Sequence, residues 1–460
     1  MTSRPHAATA SRAVPLPRSR RLRGADVVAV LVAQAIIIGL MWARHGGPAE
    51  LSTPGGLLTA IGQVTALYGT YFALIQLVLM SRSPWLDQTF GMDGLAVAHR
   101  WLGFATAWLL LGHIIATTVG YALGDGTSVV DEFVSLVTTY PYVLMALVSA
   151  GLFAAVTISS IRAARRKLSR ETWYGIHLYA YLAIALGFLH QLFNGADFMH
   201  DQVASLYWIG LYVATIALVL IFRVGQPVWT SMRHRLVVSN VVREAPGVVS
   251  LYITGRDLDQ LAVRAGQWFQ WRFMTRDGWW RAHPFSISSA PNGRWLRITV
   301  KDLGDWSKQL QEIHAGTRVA VEGPYGILTG ARRTRRRVLM VAGGIGITPL
   351  RSLLEALPAA PGELVLVYRA ARPTDVVFRD ELDQLARQRG IVVHYLIGRR
   401  GSPGMPTDPL APRPLLTLVP DVVDRDIYVC APTPMMQTVE ASLAELRVPS
   451  SQIHAERFSY

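Results

Sequence analysis

The sequence predicts a multidomain fold: an all-α six-helix transmembrane bundle, then an antiparallel β-barrel domain, then an α/β domain. Three observations predict it. The chain is 51% apolar and only 17% charged, yet 45 Lys and Arg against 31 Asp and Glu leave a net charge of +14. Six apolar stretches, near 26–43, 57–80, 95–122, 141–161, 172–194 and 203–224, fill the first half. From about residue 225 the apolar residues alternate in short segments punctuated by Gly and Pro. From Val338 the pattern becomes strand, glycine turn, helix, strand.

A basic chain this apolar is most economically a membrane protein whose Lys and Arg lie in cytoplasmic segments. Disordered basic chains are poor in apolar residues, and a nucleic-acid binder carries its charge on a polar domain, so no nucleic-acid partner is expected. Cys430 is the single cysteine, which excludes a disulfide scaffold and cysteine-ligated zinc or iron–sulfur clusters. Residues 1–24 hold Arg4, Arg12, Arg18, Arg20, Arg21 and Arg23 and no acid. They read as a disordered cytoplasmic tail; a secretory signal would need a small-residue cleavage site, and none is evident.

A crossing takes about 20 residues through a core of roughly 30 Å. The first stretch is short and the others suffice. Segment 162–170 carries Arg162, Arg165, Arg166, Lys167 and Arg170; segment 81–94 carries Arg82; Arg223, Arg233 and Arg235 follow the sixth stretch. The alternate loops are poor in base: 44–56 has Arg44, 123–140 has none and carries Asp125, Asp131 and Glu132, and 195–202 carries Asp197 and Asp201. This bias predicts a multi-pass cell-membrane protein with both termini in the cytoplasm. Its first partner is therefore the lipid bilayer.

The third stretch contains His99 and His113; the fifth contains His177 and His190. Ionisable groups inside a span are costly and mark function, and neutral imidazole is an axial ligand of haem iron. At about 1.5 Å per residue each pair is separated by about 20 Å along its helix. Both stretches run in the same direction, so His99 and His177 fall near the cytoplasmic face and His113 and His190 near the outer face. The pattern predicts two haems, each clamped between two helices. A spacing of fourteen returns to nearly the same helical face, whereas thirteen falls about 140° away. The fifth span therefore needs a local tightening or bend between its two histidines, predicted near Gly187. His200, in the outer loop, reads as a surface residue.

In the soluble half, Arg235–Ser239 and Val248–Tyr252 read as strands of a small antiparallel barrel ending near residue 330. Gly343, Gly344, Gly346 and Thr348 lie in VAGGIGITP between a strand and a helix, where backbone N–H groups can meet a pyrophosphate. The glycine spacing differs from the GxGxxG fingerprint. The segment Arg281–Pro291 (RAHPFSISSAP) offers donors and short hydroxyls suited to a flavin's ring edge and phosphates, and a plain edge strand is the alternative reading. Lys301 and Gly304 open a second glycine turn, KDLGDWS, another phosphate seat. Arg332, Arg333, Arg335, Arg336 and Arg337 read as a solvated linker or a lipid-headgroup contact. Arg369 and Arg372 follow the second strand of the α/β domain, where an Arg can take a ribose 2′-phosphate, or simply be solvated.

HPFSISSAP, VKDLGDWS, GPYG at 323–326, VAGGIGITP and the ending His454-Ala-Glu-Arg-Phe458 together resemble the ferredoxin–NADP reductase family. With six spans and paired histidines, the chain from about residue 25 resembles the ferric reductase and NADPH oxidase superfamily. The resemblance implies domains at 25–224 (membrane, two haem b), 225–332 (FAD-binding β-barrel) and 333–460 (NAD(P)H-binding α/β). It implies that His283, Pro284, Phe285 and Ser286, with Ser288 and Ser289, hold FAD, and that Lys301 and Gly304 add phosphate-side contacts. Gly343, Gly344, Gly346 and Thr348 match the nicotinamide dinucleotide's phosphate loop. Cys430 matches the position beside the nicotinamide, although this chain has Cys-Ala-Pro where the family has Cys-Gly-Pro; a small buried residue is the competing reading. Glu456 and Phe458 match the C-terminal acid and the aromatic that stacks on flavin, with Tyr460 a competitor.

The implied activity passes electrons from cytoplasmic NADPH (or NADH) through FAD and the two haems to an acceptor outside. FAD bridges a two-electron donor and one-electron irons. The acceptors implied are ferric or cupric chelates, or molecular oxygen. Animal oxidases of the superfamily carry a further His four residues after the outer third-span ligand; Thr117 stands there, which counts against oxygen. The alternative is an electron-relay subunit serving a partner protein or quinone. Inverted repeats and broken helices are not evident, which disfavours a transporter. The oligomeric state is not legible.

Overall fold

The computed structural model describes residues 24–456 apart from 46, 200, 277, 400 and 402–407. The arginine-rich tail, His200, Phe458 and Tyr460 lie outside the described residues.

The membrane half is helical. Helices α1 (Gly24–Arg44), α2 (Pro54–Leu79), α3 (Pro84–Asp125), α4 (Val129–Thr139), α5 (Val143–Ser160), α6 (Arg162–Arg165), α7 (Arg170–Asn194), α8 (Ala196–Met199), α9 (Gln202–Leu220) and α10 (Gln226–His234) follow in order. Among the described residues, six helices are long and apolar enough to cross a membrane: α1, α2, α3, α5, α7 and the α9–α10 run. Their starts are written in the sequence. Thr53, Ser128, Ser169 and Asp201 cap α2, α4, α7 and α9 by accepting from backbone N–H groups of the first turn.

Three boundaries differ from expectation. Helix α1 runs 21 residues, so the first stretch is not short. Helix α3 begins at Pro84 rather than 95, and Gly91, at φ 73 and ψ 148, interrupts its helical geometry. That glycine lets the chain turn from the first helical turns of α3 into the span. Helix α4 lies within the acidic loop 123–140.

The helices pack closely where side chains are small. A methyl on Gly62 of α2 would collide with Thr117 of α3, and one on Gly120 of α3 would lie 2.7 Å from Thr59 N of α2. Small residues allow this approach in lipid, where helix–helix contact is van der Waals rather than hydrophobic.

The soluble half begins with β1 (Val237–Ala245), β2 (Val248–Thr254), β3 (Trp268–Phe273), β4 (His283–Ser286), β5 (Leu296–Lys301), helix α11 (Asp305–Gln309) and β6 (Val319–Tyr325). These strands form two three-stranded antiparallel sheets, ordered β1-β2-β5 and β4-β3-β6. Isolated bridges at Val237–Arg318 and Ile287–Ile298 link the two. Alternation in β3 puts Phe269, Trp271 and Phe273 inside with Leu251, Ile253 and Ile298, all buried in one core.

The remainder is α/β: β7 (Val338–Gly343), α12 (Ile347–Ala356), β8 (Leu364–Ala370), α13 (Arg379–Arg389), β9 (Val392–Ile397), α14 (Pro412–Leu418), β10 (Asp426–Cys430), α15 (Thr433–Glu445) and β11 (Ile453–Ala455). Its five strands are parallel, ordered β11-β10-β7-β8-β9. β7 and β10 are buried along their whole length, as expected for strands covered on both faces.

The arginine run 332–337 is not a free linker. Arg332 donates to the carbonyls of Gln88 (2.7 Å) and Thr89 (3.2 Å) on α3, Arg333 donates to Pro358 O, Arg336 pairs with Glu363 and Arg337 with Asp421.

Candidate functional site

The helix spacing brings the four histidines into the two expected pairs. The ring centroids of His99 and His177 are 5.8 Å apart, and those of His113 and His190 are 6.4 Å apart. Two imidazoles that each bring a nitrogen to about 2 Å from one metal ion would have centroids roughly 6 Å apart. Both pairs fit a shared axial metal. His99 Nδ1 and His177 Nδ1 are buried without a hydrogen-bond partner among the described residues.

No break in helical geometry interrupts α7 near Gly187, and a methyl there would lie 3.4 Å from Ser149 Oγ of α5.

The second shell of the outer pair was not legible in sequence. His113 Nδ1 lies 2.9 Å from Gly62 O and 3.2 Å from Thr117 Oγ1, leaving its other nitrogen for a ligand. The residue read as a missing oxidase histidine therefore orients the outer one. Asn194 Nδ2 lies 3.4 Å from His190 Nδ1 and donates to Pro141 O at 2.7 Å. A cavity of 430 Å³ adjoins this pair; Gln63, Thr117 and Tyr140 line it, as do His113 and His190. Such a volume is in the range of organic ligand sites. At the other pair Trp173 stacks on His177 with centroids 4.9 Å apart.

Just past the end of α1 His45 is clasped by two carboxylates. Its ring nitrogens lie 2.8 Å from Asp197 Oδ1 and 2.7 Å from Asp201 Oδ2. The Asp201 carboxylate, which also caps α9, holds His45 above its usual pKa; His45 in turn draws Asp201 down to about 2.

The flavin-type segment is β4, an edge strand paired only with β3, with Phe285 opposite Phe269 and Ser286 opposite Trp268. Trp271 Nε1 donates to Phe285 O (2.8 Å), fixing the strand from inside. The rings of His283 and Phe285 lie nearly parallel, 6.1 Å apart; Pro284 sits between them, opposite Gln270. The three serines separate. Ser286 and Ser289 have buried hydroxyls without partners among the described residues, as groups awaiting a polar ligand would. Ser288 instead shares a hydrogen bond with Thr299 (2.8 Å) and accepts from Arg297 Nε (3.1 Å).

The glycine loop is built as the pattern requires. Gly344 has φ +54; a methyl on Gly343 would press on Ala431, Pro432 and Met435, and one on Gly346 would strike Cys430 O. Thr348 is buried and donates to Ile345 O at 3.0 Å, closing the turn. A cavity of 420 Å³ opens beside Gly343 and Gly344, and Lys301 and Arg369 reach it. Lys301 thus faces the glycine loop across the two domains and lies 3.7 Å from Asp375. Gly304, with φ +150, stands outside that cavity in open space. Arg369 donates to Ala370 O (2.6 Å) and Leu396 O (2.9 Å), while Arg372 is exposed and does not line the cavity. Arg399, which sequence reasoning passed over, does line it; its position just past the third parallel strand was the available signal.

Cys430 is fully buried at the end of β10. Burial, with the charge of Glu456, pushes its thiol well above the ordinary range, so it packs as a neutral thiol. Glu456 accepts from Trp268 Nε1 at 2.6 Å, and burial raises its pKa well above normal. Trp268, Ser286, Cys430 and Glu456 therefore gather where the two soluble domains meet, and among the described residues Ser286 Oγ and Glu456 Oε2 are left there without partners, as suits a polar heterocycle.

Comparison with known proteins agrees with this layout. Residues 65–188 match the ferric reductase like transmembrane component family, residues 244–329 an FAD-binding domain family, and residues 340–441 the oxidoreductase NAD-binding domain family. The glycine betaine monooxygenase reductase subunit of Chromohalobacter salexigens is 30% identical over 241 residues, 50% of this chain and 65% of that one. The flavohemoprotein of Halalkalibacterium halodurans is 30% identical over 251 residues, 50% of this chain and 60% of that one. This chain thus spans less than two thirds of either relative. Ferredoxin–NADP reductase B of Sorangium cellulosum is 29% identical over 46% of this chain and 93% of its own. Among solved structures, the flavohem-like FAD/NAD binding domain of Vibrio cholerae nitric oxide dioxygenase aligns with 49% of this chain and 99% of its own, at 24% identity and a TM-score of 0.40. A ferric reductase-like transmembrane component followed by FAD-binding and NAD-binding domains matches this chain to the ferric reductase/NADPH oxidase superfamily, with a ferredoxin–NADP reductase-like module.

Proposed function

We propose that this membrane oxidoreductase carries electrons from cytoplasmic NAD(P)H across the bilayer to an outer acceptor, a ferric or cupric chelate or molecular oxygen. Bound FAD would split a two-electron hydride into single electrons, and two haem b groups would carry these through the membrane. His99 and His177 would ligate the inner haem, and His113 and His190 the outer one. Residues 283–286 and Ser289 would hold the flavin, and Lys301 and the loop 343–348 would seat phosphates. Glu456, Cys430 and Phe458 would lie on the nicotinamide side, and Arg369, which reaches the cavity as Arg372 does not, favours NADPH over NADH. The domain limits follow at 25–224, 225–332 and 333–460, and the basic loops favour cytoplasmic termini.

The observation that carries this reading is the pairing of four intramembrane histidines at 5.8 and 6.4 Å, at two levels of the same two helices. Neutral imidazoles in lipid without charged partners are best accounted for as metal ligands.

The purified protein should show a low-spin b-type haem spectrum, and His113→Ala with His177→Ala should abolish it; its persistence would remove the haem assignment. In proteoliposomes, NADPH oxidation should accelerate with the acceptor outside. Chelate reduction that continues without oxygen identifies a metal reductase, and dye reduction sensitive to superoxide dismutase identifies an oxidase. Turnover quickened by neither identifies a relay to a partner protein or quinone.

A further inference from the structure

The junction between the membrane domain and the flavin module contains two buried acids on either side of one glycine. Asp87, from the cytoplasmic start of α3, is 1% exposed, and its Oδ2 accepts Gly326 N–H at 2.8 Å. Glu456, from the end of the α/β domain, is 8% exposed, and its Oε1 lies 2.7 Å from where a methyl on Gly326 would sit. Among the described residues, each acid keeps one buried oxygen without a hydrogen-bond partner: Asp87 Oδ1 and Glu456 Oε2. Gly326 has φ +99 and no side chain, so nothing but backbone separates the two.

Among the described residues, Asp93 is a further acid near the pair and Arg332 is the cation on the Asp87 side. Arg332 spends one guanidinium nitrogen on the carbonyls of Gln88 and Thr89. Trp268 is the donor to Glu456, and Cys430 faces it as a neutral thiol. Arg82, a half-buried cation at the junction, is paired with Glu322, which also accepts from Tyr325. Two buried carboxyl groups with orphaned oxygens cannot both be ionised cheaply, and such pairs hold a proton in common.

We propose that Asp87 and Glu456 form a proton-sharing acid pair, so that the membrane domain supplies the second acid of the flavin site. This deepens the proposed electron path. Electrons that leave reduced flavin go to the membrane domain one at a time. For each hydride that bound FAD would accept and then give up as two electrons, one proton would be left to remove. Glu456 would take that proton onto a carboxyl oxygen, and Asp87 would pass one on towards water. No bond other than the N–H and O–H bonds changes, and NAD(P)H supplies the reducing equivalents. Glu456 faces the flavin site; Asp87 is a positioning residue that acts through it.

The test uses the full-length protein in detergent, with and without cofactors. Its infrared spectrum at neutral pH should show a protonated buried carboxyl in the cofactor-free protein. Glu456→Gln should remove that band, Asp87→Asn should shift or shrink it, and exposed Asp131→Asn should leave it unchanged. In the loaded protein, Asp87→Asn should slow flavin-to-haem electron transfer about tenfold, a modest share of a general acid–base effect, and reduce its solvent isotope effect while hydride transfer from NADPH keeps its rate. A native spectrum without the band, or a band that Asp87→Asn leaves untouched, overturns the pair. Loss of haem or flavin binding in the native protein would instead overturn the electron path and leave the infrared result standing. If Asp87→Asn does not fold, Asp87→Glu and Glu456→Gln carry the infrared comparison.

Discussion

Single residues here work through what they leave for others to do. Thr117 illustrates this. Its hydroxyl and the Gly62 carbonyl share His113 Nδ1, so Thr117→Val should weaken haem retention at the outer level by about tenfold, the low end of second-shell effects on metal sites. Haem content after dilution, with the inner haem as internal standard, is the measurement. Trp271 does the same for the flavin strand. It is fully buried and its N–H satisfies Phe285 O. Trp271→Phe strands that carbonyl and should cost about 1–3 kcal/mol, read as a lower thermal transition of the FAD-depleted protein and weaker FAD retention.

At the scale of elements, glycines decide how closely backbones meet. Gly346 lets the turn into α12 lie against Cys430 O at the end of β10. Gly346→Ala must push these elements apart, opening the loop proposed to seat the dinucleotide phosphates. NADPH affinity should fall by at least about tenfold, since a displacement of roughly 1 Å in a positioned site has effects of that order or more, while the haem spectrum stays unchanged. The outer strap of α1 to the α8–α9 turn is instead electrostatic. His45, raised above 6.5, contributes fully below that pH and loses its contribution as pH rises through its folded pKa. Asp201, lowered from 3.8 to about 2, contributes above 3.8 and loses it as pH falls. The strap is therefore strongest between 3.8 and 6.5. His45→Gln should remove the alkaline-side fall in melting temperature above pH 6.5; an unchanged pH profile would show that the strap does not report on stability.

For the whole molecule the decisive feature is one docked junction. Arg82, in the turn between α2 and α3, donates to Glu322 of β6 at 2.5 Å, Gly326 N–H reaches Asp87, and Arg332 reaches back to α3. The same loop that leaves the membrane thus grips the GPYG segment of the flavin module. Arg82→Ala leaves Glu322 buried without its cation, a costly loss. We expect flavin reduction by NADPH to keep its rate while haem reduction slows several-fold, as rapid mixing with separate flavin and haem wavelengths would record. Equal slowing of both would show that the junction serves folding alone.

The sequence by itself determined the order of domains, the six spans and the identity of the four histidines. Each follows from local rules: apolar length, alternation, caps, and the cost of an ionisable group in lipid. Even the glycine loop could be read as a strand–turn–helix unit. What only tertiary structure decided are the contacts between elements distant in sequence. These include the break of α3 at Gly91, the orienting of His113 by Gly62 and Thr117, and the withdrawal of Ser288 into a network with Arg297. They also include the docking of Arg332, which composition alone had suggested was solvated, and the meeting of Asp87 with Glu456 across Gly326. The physical reason is that periodicity and capping act over a few residues, whereas an orphaned oxygen or a missing methyl acquires meaning only from a neighbour that folding brings beside it.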